Sequence, residues 1–176
     1  AVISTLSEQN ESSSEETPSI LRAPSMFQVA QTVSKTLAEV IGVTAKEQMV
    51  ADSTFSATFI LGGQIKGSKM TLYLIYPEGN FIEVSEENPF FQIGETKYGR
   101  PILVRAFEPK MSFEDAVKLL MVSFDSTIKA NLSVGLPLDL HIYDRDSILP
   151  AKSMKIERDN PYFNMVSHQW GEALKN

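Results

Sequence analysis

Between Ser112 and Tyr143 the spacing of apolar residues changes once, from three or four to two. No other feature of the chain constrains the fold as much. Ala116, Leu119, Leu120, Phe124 and Ile128 make one helical stripe, because residues three and four apart share a helix face. Ser112 stands ahead of it as an N-cap, with Asp115 at the capping-box spacing where Glu or Gln is usual. The helix should end near Asn131. Leu136, Leu138, Leu140 and Ile142 then alternate with Pro137, Asp139, His141 and Tyr143, the period of a strand with one buried face. A helix that feeds such a strand has to pack on it, so Leu119, Phe124, Leu138 and Leu140 are the expected core.

The rest of the chain supplies more of both periods. Ala1 to Leu6 reads as the tail of a helix without an N-terminal cap, and residues 7–19, acidic and serine-rich, as a flexible solvated loop. From Pro24 to Lys46, Phe27, Ala30, Val33, Leu37, Val40 and Ile41 recur at helical spacing, with Ser25 as N-cap. Thr54 to Leu61 and Met70 to Tyr76 read as a hairpin, with Gly62 and Gly63 in the loop between them. The turn Pro77-Glu78-Gly79-Asn80 leads into a third strand at Phe81 to Val84. Thr96 to Phe107 is helical, its first turn delayed or kinked by Gly99 and Pro101. Residues 148–176 form a C-terminal extension, with a weaker strand at Ser153 to Glu157 and a last helix capped by Asn160-Pro161. That helix sets Phe163, Val166, Trp170 and Leu174 on one side. Strands with helices on their faces make an α+β layered fold.

The chain is 176 residues long and 43% hydrophobic, which suits a single domain over residues 1–176 with a sizeable core. Its 22 acidic residues outnumber 16 basic ones, so a clustered basic face for nucleic acid is not expected. Without cysteine there is neither a disulfide nor a thiolate metal site, and no apolar run is long enough to span a bilayer. The first residues lack the basic start and apolar core of a secretory signal, so a cytoplasmic protein is expected.

Self-contained chemistry is sparse. There is no P-loop, no G-x-S-x-G elbow, no H-E-x-x-H and no dinucleotide fingerprint. Asp139 and His141 project from one strand face and have the types for base catalysis or metal binding. No third ligand or nucleophile is indicated near them, so they read as an outward polar face. His168 reads as a surface residue, and Glu83, Glu86 and Glu87 as a solvated strand end without metal-ligand spacing. No cofactor and no metal are expected.

Longer patterns carry more. FILGG with LIYPEGNFIE, then FQIGETKYGR, then MSFEDAVKLLMVSFDSTIKANLSVGLPLDLHIY resemble in order the strand pair, the loop and helix start, and the long helix with the final core strand of a proteasome-type β-subunit. The forms I-G-E-T-K-Y-G, S-F-D-S-T and N-L-S-V-G-L-P are similar to the bacterial branch called Anbu, an ancestral-type β-subunit. The resemblance covers nearly the whole chain.

It implies a four-layer αββα sandwich of the N-terminal-nucleophile hydrolase type, assembled from like subunits, that cleaves peptides or unfolded protein. In such subunits the hydroxyl of an N-terminal Thr attacks the carbonyl and its own α-amine takes the proton. The chain begins with Ala1, and by resemblance inside the family's first helix. An N-terminally truncated polypeptide, inactive as it stands, is therefore expected.

Three supporting positions carry over. The family commonly has Ser after the Gly of the loop where this chain reads Gly94-Glu95-Thr96, and D-x-x-S-G where it reads Asn131-Leu132-Ser133-Val134-Gly135. Glu95, Asn131 and Ser133 are thus the candidate catalytic residues, with a carboxylate in place of a hydroxyl, Asn in place of Asp and the Ser one residue early. A purely local role stays open: Glu95 or Thr96 as an N-cap, and Asn131 as a helix end. The alternative function is a non-catalytic proteasome-like scaffold or binding module. For contacts between subunits the chain offers the stripe from Phe27 to Ile41 and the last helix with Phe163 and Trp170.

Overall fold

Val2 and Leu6 lie one helical turn apart and are both buried, and they anchor the first element, α1 (Val2–Glu11). In this computed structural model, which describes residues 1–12, 19–47 and 56–175, α1 runs to Glu11, five residues into the expected loop. Its end is closed by Ser12, whose N–H and Oγ both donate to the Glu8 carbonyl, at 2.9 and 2.7 Å. That closure satisfies a carbonyl a helix end otherwise leaves open. The rest of the expected loop, residues 13–18, lies outside the described residues.

The chain divides into two units, Ala1–Phe91 with Arg145–Ile148, and Gln92–Asp144 with Leu149–Asn176. In the first, α2 (Met26–Glu47) starts where expected, with the Gln28 N–H donating to Ser25 Oγ at 3.2 Å. Its inward face is Met26, Val29, Ala30, Val33 and Leu37, and Phe27 is 54% exposed. The stripe is therefore turned slightly from the expected one. Phe27 sits at its margin, edge-on to Phe81 with ring centroids 5.3 Å apart.

Strands β1 (Phe59–Gly63), β2 (Thr71–Ile75) and β3 (Phe81–Glu83) form an antiparallel sheet in that order, with Leu61 opposite Tyr73 and Leu74 opposite Ile82. Tyr73 and Ile75 point into the core that α1 and α2 cover. Residues Thr54 and Phe55 of the expected first strand lie outside the described residues. Gly62 and Gly63 correct the sequence reading, since they belong to β1 and not to the loop. A Cβ would come 2.9 Å from Leu72 Cδ1 at the first and 3.0 Å from Met26 Cε at the second, so both positions are set by close packing. Gly79, at φ 85°, makes the expected turn, where Tyr76 N–H donates to the Asn80 carbonyl at 2.9 Å.

In the second unit, α3 (Arg100–Ala106) carries Pro101 in its first turn and so starts late, as expected. Helix α4 (Phe113–Ala130) is capped by Ser112, whose Oγ accepts the Asp115 N–H at 3.1 Å and donates to Asp115 Oδ2 at 2.7 Å. Strands β4 (Leu138–Ile142) and β5 (Lys152–Ile156) pair antiparallel, Leu138 opposite Ile156. Helix α5 (Pro161–Ala173) begins at Asn160, whose Oδ1 accepts the Phe163 N–H at 2.9 Å. Met121, Ile156, Phe163 and Val166 form the core, with Leu136, Leu138, Leu140, Val117, Val122 and Ile128 packed on it.

Two expectations about faces are corrected here. Phe124 is 41% exposed, because α4 turns Met121 and Asp125 inward on one side and Ser123 and Thr127 inward on another. Phe163 is only 4% exposed, and together with Ala30, Val33 and Leu37 it belongs to the cores of this chain. These residues are not available as contacts between subunits. Helices and antiparallel strands together make the fold α+β, and no helix among the described residues is long and apolar enough to cross a membrane.

Candidate functional site

Glu95, Asn131 and Ser133 come together. Glu95 follows Gly94, whose φ of 78° suits glycine and turns the chain ahead of α3. Its Oε1 accepts the Lys97 N–H at 2.8 Å and its Oε2 accepts Asn131 Nδ2 at 2.7 Å. Asn131 closes α4, its N–H donating to the Thr127 carbonyl at 2.9 Å. Its Oδ1 accepts both the N–H and the Oγ–H of Ser133, at 2.8 and 2.7 Å. One hydrogen-bonded chain thus runs from the loop before α3 through the end of α4 to Ser133.

The Lys97 backbone N–H, then the Asn131 amide, hold the Glu95 carboxyl below the ordinary glutamate range, against a small opposing effect of desolvation; the Lys97 charge adds to the lowering. Each bond stabilises the charged form. At neutral pH Glu95 is an anion that accepts hydrogen bonds or steadies a cation; it is poorly suited to store a proton. Neither Glu95 nor Thr96 is the N-cap of α3, which is Gly99. Asn131 is the helix end that the sequence suggested.

The other candidates remain apart from this cluster. Asp139 and His141 are exposed on β4 opposite Lys155 and Ser153, and His141 Nδ1 lies 2.9 Å from Ser153 Oγ. His168 is exposed on α5. Glu83 accepts from Thr71 Oγ1 at 2.7 Å, and among the described residues no group of three or more His, Asp or Glu is set to hold a metal ion.

Sequence reasoning missed three features. Asp125, its side chain 5% exposed, is buried on α4 with Lys129 Nζ 3.0 Å from its Oδ2, and the i,i+4 Asp–Lys spacing was the signal. Gly99 is buried against Ser123 and Thr127 of α4, which no local pattern announces. A groove of about 1030 Å³ runs between α3, α4 and α5, lined by Ile102, Val104, Met111, Leu119, Val122 and Trp170, with Arg105 and Lys118 along it.

No protein-family model and no curated protein matches the chain. Solved structures do. Anbu from Hyphomicrobium sp. strain MC1 is 41% identical with a TM-score of 0.90, over 99% of this chain and 71% of its own. Anbu (ancestral beta-subunit) from Yersinia bercovieri is 39% identical at 0.89, over 98% and 70%. The Anbu complex from Pseudomonas aeruginosa, seen as a helical assembly, is 38% identical at 0.90, over 99% and 70%. With such identities over almost its whole length and backbones that superpose this closely, the chain belongs to the Anbu family of bacterial, proteasome-like ancestral β-subunits.

Proposed function

We propose that this chain is part of a subunit of a self-compartmentalising bacterial threonine peptidase that hydrolyses peptide bonds in the cytoplasm. The nucleophile is an N-terminal threonine outside the 176 residues, its hydroxyl attacking the carbonyl and its own α-amine taking the proton. Glu95, Asn131 and Ser133 orient that amine. An anionic Glu95 steadies it when it carries the proton, and Asn131 keeps Glu95 in place. The subunit is a four-layer αββα sandwich and one proteasome-like domain, and it assembles with like subunits, a reading supported by the helical assembly of the Anbu complex from Pseudomonas aeruginosa.

The observation that carries this reading is the Glu95, Asn131 and Ser133 hydrogen-bond chain, which links the two loops where the family's supporting groups are expected. This chain spans 70 to 71% of the length of these relatives' chains.

The second reading, a non-catalytic scaffold, is favoured by one fact: both Glu95 oxygens and both polar atoms of the Asn131 side chain are already engaged internally. Peptide hydrolysis by the full-length protein decides between them. Activity that disappears when the terminal threonine is replaced by alanine supports the peptidase. An assembled protein inert toward a broad panel of fluorogenic peptides supports the scaffold.

A further inference from the structure

Gly99 is buried at the start of α3 with φ of −86° and ψ of −37°, a conformation open to any residue. What the position lacks is room. A Cβ there would overlap Ser123 Oγ, and would lie 2.9 Å from Thr127 Oγ1 and 3.0 Å from the Ser123 carbonyl oxygen. The two hydroxyls make the overlap, and Thr127 Oγ1 is held in place by donating to that carbonyl at 2.9 Å. With both hydroxyls present, a side chain at 99 therefore presses the start of α3 away from α4.

This contact lies one hydrogen-bonded turn from the candidate site on either side, at the start of α3 and at the end of α4. The Arg100 N–H donates to the Thr96 carbonyl at 3.1 Å, and the Asn131 N–H to the Thr127 carbonyl at 2.9 Å. Thr96 adjoins Glu95. A shift where Gly99 meets Ser123 and Thr127 is passed through one hydrogen-bonded turn on each side to the 2.7 Å contact between Glu95 and Asn131.

We propose that Gly99, seated against Ser123 and Thr127, is a positioning residue that sets the distance between Glu95 and Asn131. The inference rests on the reading of that pair as supporting groups of the peptidase. A misplacement of about 1 Å at such groups costs on the order of a hundredfold in rate, so the space kept free at Gly99 serves the reaction as well as the packing.

The test is Gly99→Ala in the full-length protein, alone and combined with Ser123→Ala and Thr127→Ala, which remove both hydroxyls from the seam. Two quantities are read: the Glu95 carboxyl titration by carbon NMR, and kcat against KM for a fluorogenic peptide. Gly99→Ala should move the Glu95 titration up toward the ordinary glutamate range and lower kcat about 10- to 100-fold with KM little changed. The combined variant should return both most of the way. If Gly99→Ala does not fold, Ser123→Thr brings an extra methyl into the same seam and should shift the titration in the same direction. A folded Gly99→Ala with an unmoved Glu95 titration, or a shift that the combined variant leaves in place, overturns the proposal. A parent protein without turnover sinks the peptidase reading instead, and the titration then decides the seam by itself.

Discussion

Asn131 Nδ2 donates to Glu95 Oε2 at 2.7 Å across thirty-six residues of sequence. The bond ties the loop that opens α3 to the residue that closes α4. Since Asn131 Oδ1 is held in turn by Ser133, the amide has a single orientation that satisfies both neighbours.

That bond has a pH signature. The folded Glu95 carboxyl titrates below its ordinary value of 4.5 because the Lys97 N–H and the Asn131 amide bind the anion. Its contribution to stability is therefore complete above the ordinary value and is lost as pH falls through the lower folded one. Asp115 is also lowered, by Ser112 and then Lys118, so the comparison must be with Glu95→Gln. Thermal melts should show a shallower acid limb for that variant. Identical limbs would mean that neither the Lys97 N–H nor the Asn131 amide binds the anion in solution.

In the peptidase reading, Glu95→Ala and Asn131→Ala in the full-length protein should each slow peptide hydrolysis by about ten- to a thousandfold. His141→Ala and His168→Ala should leave the rate unchanged. A chain starting at Ala1 that cleaved peptides and lost that ability with His141 would make the Asp139 and His141 face the site.

Ile156, buried between α4 and α5, should cost about 2 to 5 kcal/mol when cut to alanine, as a leucine or isoleucine does when its removal leaves a cavity. Phe124→Ala, on the outward side of α4, should cost less than about 1 kcal/mol. Denaturant melts that reversed the order would mean α4 is rotated from the orientation described.

Ser112→Ala should cost about 0.5 to 2 kcal/mol, since it frees the Asp115 N–H that Ser112 Oγ accepts. Ser112→Gly should cost a few tenths of a kcal/mol. Equal melting curves for all three proteins would show that the cap contributes nothing.

Lys129→Met leaves the carboxylate of Asp125 buried without its cation, which lies 3.0 Å away and also reaches Ser167 Oγ at 3.0 Å. The cost should be about 1 to 3 kcal/mol, held down by the exposure of Lys129 to water. Adding Asp125→Asn should recover part of it, and a double variant less stable than Lys129→Met would contradict a role for the buried charge.

The elements that sequence determined are those held by contacts a few residues apart. Ser25, Ser112 and Asn160 each cap the helix expected of them, and Gly79 makes its turn through atoms of the same tetrapeptide and its neighbours. The alternation from Leu136 to Ile142 likewise places Leu138 and Leu140 inward and Asp139 and His141 outward. Such features need no partner from elsewhere in the chain. Family membership was readable for a related reason, since the motifs that carry it are continuous runs.

Which helix face turns inward was settled only by packing. Apolar residues cover more than one face of α2 and α4, and the sequence spacing alone does not show that Phe27 and Phe124 stay exposed while Met26 and Met121 are buried. Gly62 and Gly63 look like loop glycines and Gly99 like a break in the first turn of a helix, and their actual constraint is the closeness of Leu72, Met26 and Ser123. The candidate residues were named singly, from resemblance. Only the tertiary structure brought Glu95 to within a hydrogen bond of Asn131, because a contact spanning thirty-six residues depends on how α3 seats against α4, and that is set by the absence of a side chain at Gly99.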